Sequence, residues 1–315
     1  MRMRGVMRTH TRRAFLGASL STVTAALAQE SRAVEPVIDI HQHTLYSGRE
    51  NEILLAHQLM MGVTKTLLLP AGTPLLRAST HNGKSNGLAA RTGGTQTCKR
   101  LAEANPGAYL WGANEVTDLD NAPDEIEKWL KLGACIIAEQ KFDVECDSAH
   151  SQRLYALAAA YGVPILLHFQ NETYNRGYER LHTMLAKFPK TVFIGHAQTF
   201  WGNIDKLHEQ KVLYPKGKVT PGGLTDRYLA DYPNMFADMS AGSGLNALTR
   251  DEDHARGFLL RHQDKLLYGS DCNDRLGRGP GCQGAQTVAT IRRLVAVKAV
   301  ERKILFENAK KLFRL

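Results

Sequence analysis

Ile38-Asp39-Ile40-His41-Gln42-His43 is the stretch on which the reading of this chain turns. Apolar and polar residues alternate in it as they do in a strand, and residues two apart in a strand project from the same face. The His41 and His43 imidazoles therefore leave the strand end together and can grip one metal ion, with Gln42 turned away. With 12 histidines among 315 residues, such a pair also arises by chance. Its position in the fold has to carry the argument.

Outward from that strand, short apolar runs alternate with longer segments of helical period, the pattern of parallel βα units. Eight runs have strand character: Val37 to Ile40, Thr64 to Leu69, Tyr109 to Ala113, Ala134 to Ala138, Val163 to Leu167, Thr191 to Ile194, Met235 to Asp238 and Lys265 to Tyr268. Eight such units predict an α/β architecture, the (β/α)8 TIM barrel. Between the strands, Asn121 is expected to cap a helix over Ala122 to Leu132 that Gly133 ends, and Gly162 to close another over Ser151 to Tyr161. Glu301 to Phe313 reads as an amphipathic outer helix at the C-terminus. Two long connections, Pro70 to Gln96 and Gln198 to Tyr232, follow strands 2 and 6 and are expected over the face where barrel enzymes keep their catalytic groups.

Polar residues at the ends of these runs converge in such a barrel. His168 ends Pro164-Ile165-Leu166-Leu167, and His196 follows Val192-Phe193-Ile194-Gly195. Glu139 and Lys141 follow Ile136-Ile137-Ala138, and Asp271 follows Leu266-Leu267-Tyr268-Gly269-Ser270. Imidazoles and carboxylates suit a catalytic zinc, which keeps an open position for water and lowers its pKa to about 7. Asp271 can bind the metal and accept the water proton, whereas His196 can be a ligand or the acid that protonates substrate. Two arrangements stay open. One ion is held by His41, His43, His168 and Asp271, or Glu139 bridges two, one on His41, His43 and Asp271 and the other on His168 and His196. Lys141, Trp201 and Arg275, with Phe169, Asn114 and Arg278, are placed at the pocket rim for a small-molecule substrate, arginine because it pairs with carboxylates or phosphates.

The order of these residues resembles the amidohydrolase superfamily, most closely its branch with aminocarboxymuconate-semialdehyde decarboxylase and pyrone-dicarboxylate lactonase. The likeness spans most of the chain beyond the first 28 residues. It implies that His41 and His43 are the strand-one pair, His168 the strand-five histidine, His196 the strand-six histidine and Asp271 the strand-eight aspartate, with Glu139 at the strand-four position and Lys141, as a carboxylated lysine, its competitor there. It also implies a divalent metal, zinc foremost, and favours the one-ion form. The expected activity is metal-dependent hydrolysis of an ester, lactone or amide carbon. The first alternative is non-oxidative decarboxylation of an acidic substrate, and the second a barrel that binds without catalysis.

Residues 1–28 read as an export signal, leaving 29–315 as a single domain. Arg2, Arg4, Arg8, Arg12 and Arg13 form a basic front, Phe15 to Ala28 is mildly apolar, and Ala26-Leu27-Ala28 is a small-residue cleavage pattern. Thr11-Arg12-Arg13-Ala14-Phe15-Leu16 resembles the twin-arginine signal, which implies the twin-arginine export machinery as a partner and a periplasmic or secreted destination. The run is too short and too polar for a membrane anchor. Without these five arginines the formal charge falls from +9 to +4, which removes the electrostatic case for nucleic acid. The five cysteines make no disulfide scaffold, although Cys272 and Cys282 flank a glycine-rich loop they could close. A homo-oligomer stays open.

Overall fold

The computed structural model describes residues 35–70 and 92–315. The expected signal and the middle of the connection after strand 2 lie outside them. Among the described residues eight strands run in chain order: β1 (Val37–Gln42), β2 (Val63–Leu68), β3 (Tyr109–Trp111), β4 (Ile137–Gln140), β5 (Ile165–His168), β6 (Phe193–His196), β7 (Met235–Asp238) and β8 (Leu266–Leu267). All ladders are parallel, in the orders β1-β2-β3 and β4-β5-β6-β7-β8. Ala113 bridges to Ile137 between the two groups. On the other side the Ile40 N–H donates to the Tyr268 carbonyl at 3.0 Å, and the Asp271 N–H to the His41 carbonyl at 2.8 Å. Helices connect the strands, giving the α/β barrel expected from the alternation, with residues 35–315 as one compact unit.

Alternation along the strands sorts the apolar residues into two layers. Ile38, Ile40, Leu67, Leu69, Ile136, Ala138, Leu166, Ile194 and Leu267 form a cluster inside the ring. Their strand neighbours, such as Val37, Leu68, Ile137, Ile165, Leu167, Phe193 and Ala237, pack outward with the helices. Strand-length runs that are apolar throughout serve both layers at once, as buried parallel strands do.

The helix Ala122–Lys131 buries Ile126, Trp129 and Leu130 as its period requires, and Gly133 follows it at φ 103°. Asn121 does not cap it, because its side chain makes no cap hydrogen bond. Pro123 instead pre-sets the first turn, with Asp124 and Glu125 favourable at the helix N-terminus. The next helix, Ala149–Tyr161, is capped by Ser148, which accepts from the Ser151 N–H, and ends at Gly162 in the left-handed conformation. The C-terminal helical path begins earlier than expected, at Lys298, and passes through a π-helical turn, Lys303–Glu307. It lies outside the ring, across its N-terminal end. There Asn308 donates to the Leu266 carbonyl at 2.8 Å, and Phe306, Leu312 and Phe313 pack against the inner cluster. The connection after β6 is partly helical, over Ala197–Gly202 and Leu224–Asp231. Among the described residues no helix is long and apolar enough to cross a membrane.

Leu166 is fully buried at the centre of the inner layer. Leu166→Ala is expected to cost about 2–5 kcal/mol, read from urea denaturation; a cost near zero would contradict a packed barrel interior.

Candidate metal centre

Above the apolar floor, polar side chains from six strands meet, and two of them get there by breaking the strand period. Ile40 belongs to the inner cluster, yet its neighbour His41 also turns inward to meet Asp238 and Glu139. The β1–β2 register shifts between Asp39 and Gln42, where the Asp39 carboxylate accepts from the His41 N–H at 3.0 Å. In β4, Ala138 and Glu139 both face inward, and the register with β5 shifts between Ile137 and Gln140. Such irregularities re-aim side chains. β5, β6 and β7 keep their period, and so His168, His196 and Asp238 follow Leu166, Ile194 and Phe236 on the inner face.

Each imidazole is wired from behind through Nδ1. His41 Nδ1 lies 2.6 Å from Asp238 Oδ2, and His43 Nδ1 lies 2.8 Å from the Leu69 carbonyl. These acceptors place the proton on Nδ1 and leave the Nε2 lone pair free. The two Nε2 atoms then face each other at 3.2 Å. Glu139 Oε2 stands 3.6 and 3.5 Å from them, and Asp271 Oδ1 stands 3.9 and 3.5 Å away. Ligands about 2.0–2.2 Å from a tetrahedral zinc are roughly 3.4 Å apart, so His41, His43 and Glu139 group as one set of ligand type, with Asp271 Oδ1 beside both histidines. Glu139 Oε2 and Asp271 Oδ1 are buried and without a hydrogen-bond partner. Two facing lone pairs and two orphaned carboxylate oxygens fit a divalent cation.

His168 and His196 complete the ring. His168 Nδ1 lies 2.7 Å from Glu139 Oε1, and its Nε2 has no partner. His196 Nδ1 is 3.2 Å from Asp238 Oδ2 and 3.1 Å from Ser240 Oγ, while its Nε2 is 3.8 Å from Asp271 Oδ2 and 3.9 Å from Glu139 Oε1. His168 thus bonds one oxygen of Glu139 while the other oxygen faces His41 and His43. Glu139, His168 and His196 form a second grouping of metal-ligand type.

Three carboxylates, Glu139 and Asp238 buried and Asp271 partly so, dominate the electrostatics. Burial alone would lower the His41 pKa, but Asp271 and Asp238 raise it well above its ordinary value. Burial likewise opposes ionisation of Glu139, yet His168 and His41 hold it well below the usual carboxylate range. Asp271 is pulled to about 2 against its burial by His41 and His43. His168 is pushed down to about 3 by burial and by the Lys141 charge. The cluster therefore keeps its carboxylates charged and gathers positive charge to them.

The remaining rim candidates have other surroundings. Trp201 is buried, and its indole N–H donates to the Asp238 carbonyl at 2.9 Å, so it braces β7 and lines no open rim. Arg275 is exposed and lies 3.8 Å from Glu50. Lys141 Nζ lies over the Tyr174 ring, 5.5 Å from its centroid. Asn114 donates to the Glu139 carbonyl at 2.8 Å and to Pro70 at 3.0 Å, fixing the end of β4. Asp238 was missed by the sequence reading, although it ends an apolar run as His168 does. A glycine guards it: a Cβ at Gly269 would run into Asp238 Oδ1 and come within 2.9 Å of the His41 Cβ.

The amidohydrolase family profile matches residues 38–315. No curated protein matches the chain. Solved structures share the fold. A TIM-barrel protein from Bordetella bronchiseptica is 15% identical over 89% of this chain and 98% of its own, with a TM-score of 0.61. A 2,6-dihydroxybenzoate decarboxylase from Rhizobium is 13% identical, over 89% and 99%, with a TM-score of 0.56. A probable 2-pyrone-4,6-dicarboxylic acid hydrolase from Acinetobacter baumannii is 13% identical over the same shares, with a TM-score of 0.55. With its profile spanning the barrel from β1 to the last helix, the chain belongs to the amidohydrolase family.

Proposed function

We propose that the chain is a metal-dependent hydrolase that attacks an ester, lactone or amide carbon of a small-molecule substrate, with His41, His43, Glu139 and Asp271 holding one zinc-class ion. The facing Nε2 atoms of His41 and His43, each with its proton placed on the far nitrogen, carry the metal assignment. A second ion would fall to Glu139, His168 and His196, the last two offering Nε2.

The bound cation supplies Lewis acidity, both to a water molecule and to the substrate oxygen. The protein's own groups handle the protons and the geometry. Asp271 turns Oδ1 toward the ligand set and Oδ2 toward His196 Nε2, so it can take a proton from water and stand beside the group that returns one to the leaving atom. Asp238 orients the His41 and His196 rings together and keeps their Nε2 atoms aimed at the reacting centre. The apolar floor beneath excludes water from below and strengthens these interactions.

Decarboxylation is the second reading, supported by the decarboxylases among the structures of this fold. Asp271 and His196 would then deliver the proton that replaces CO2 on carbon. A lactone panel and a carboxylated-aromatic panel separate the two: acid release without CO2 supports hydrolysis, and stoichiometric CO2 overturns it.

In a His41→Ala, His43→Ala variant we expect elemental analysis to fall by about one equivalent of divalent metal, with turnover lost; undiminished metal would refute the site. Asp238→Asn keeps the shape and removes the charge behind both rings, and is expected to lower metal affinity or activity about 10–100-fold. Parent-like kinetics and metal content would show that the rings need no carboxylate behind them. We also propose export by the twin-arginine machinery to the periplasm or beyond. Arg12→Lys with Arg13→Lys should leave the protein in the cytoplasmic fraction; unimpeded export would dismiss that address.

A further inference from the structure

A second cluster of metal-ligand type lies outside the ring, where the helix Asn51–Met60 meets the segment leaving β8. His57, Cys272 and Cys282 are all buried there, with one donor atom of each within 4.8 Å of the others. The two Sγ atoms are 3.6 Å apart, and Cys282 Sγ is 3.5 Å from His57 Nε2. Both thiols are free, so the sequence suggestion of a loop-closing disulfide is not realised. Ligands about 2.3 Å (sulfur) and about 2.0–2.1 Å (nitrogen) from a tetrahedral zinc stand roughly 3.7 Å apart for two sulfurs and roughly 3.5 Å apart for sulfur and nitrogen. The observed separations match these edges. Asp274 Oδ2 lies 3.8 Å from the same His57 nitrogen. Its Oδ2 already accepts from the Leu276 and Gly277 N–H groups at 2.8 and 2.7 Å, which orients a ligating carboxylate.

We infer that His57, Cys272 and Cys282, with Asp274, form a structural site for a thiophilic divalent cation of the zinc class, separate from the histidine and carboxylate centre. Binding releases the two thiol protons to solvent and leaves thiolate ligands. A surface recess lined by Met60, Met61, Gly277, Gly279 and Ala285 adjoins the cluster, where Met61 Sδ lies 3.5 Å from Cys282 Sγ. The cation would tie the first helix to the segment that begins at Asp271, stapling a catalytic carboxylate to the scaffold from outside the pocket.

The test uses the full-length protein, purified reduced and loaded with Co2+ as the probe. Thiolate ligands give an intense near-ultraviolet charge-transfer absorbance that histidine and carboxylate ligands do not, so the signal reports this site even if the other centre is empty. We expect the band in the parent and at least a tenfold loss in Cys282→Ser, with cobalt content lower by one equivalent. Serine keeps the cap that Cys282 Sγ makes with the Ala285 N–H at 3.4 Å, and His57→Ala is the second variant should the first fail to fold. No band in the reduced parent overturns the site. So does a Cys272–Cys282 disulfide that resists reduction and excludes cobalt, seen as a mass lower by two hydrogens.

Discussion

A single buried carboxylate sets the geometry on which the rest of the centre depends. Asp238 lies 2.6 Å from His41 Nδ1 and 3.2 Å from His196 Nδ1, and it accepts from Ser240 Oγ at 2.8 Å. Burying a charge is costly unless it is hydrogen-bonded on every side, and these donors satisfy that demand. In return they fix both imidazoles in the tautomer that presents Nε2. The Trp201 N–H on the Asp238 carbonyl and the absence of a side chain at Gly269 make room for this arrangement and hold it.

The barrel below is apolar and closed, so a polar cluster can exist only at one mouth, where the strand ends point. Reaching that mouth with seven ionisable or ligating side chains required departures from regular backbone. β1 and β4 shift register, and Ala197, Ala241 and Asp271 adopt left-handed φ values of 80°, 61° and 42° at or just beyond the ends of β6, β7 and β8. Such conformations cost about 1–3 kcal/mol each in a residue with a Cβ. They persist because the packed ring around them leaves no alternative, and they cluster where side chains must be aimed.

Much of this was legible in the residues. The apolar runs marked all eight strands, because strands buried on both faces need near-continuous apolar sequence. The same runs, read to their ends, pointed to His41, His43, Glu139, His168, His196 and Asp271. Asp238 ends the Met235-Phe236-Ala237 run in the same way, and the signal that found the others was present for it too. Trp201 shows the opposite error: a position in a connection after β6 suggested a rim, yet the short helix Ala197–Gly202 folds it inward against β7. The strand limits differed by up to three residues, since they are set by the neighbour's hydrogen bonds.

Composition and period by themselves determined the barrel, the order of its strands and the set of polar residues carried to its mouth, because these depend on local patterning. Only the tertiary structure decided which of those residues share a point in space. Period two predicts that His41 and His43 lie on one face, and they do. It cannot predict that Ile40 shares that side, or that Glu139 reaches the histidine pair, because both follow from register breaks imposed by neighbouring strands. The meeting of His57 with Cys272 and Cys282, more than two hundred residues away, likewise depends on β8 closing against β1.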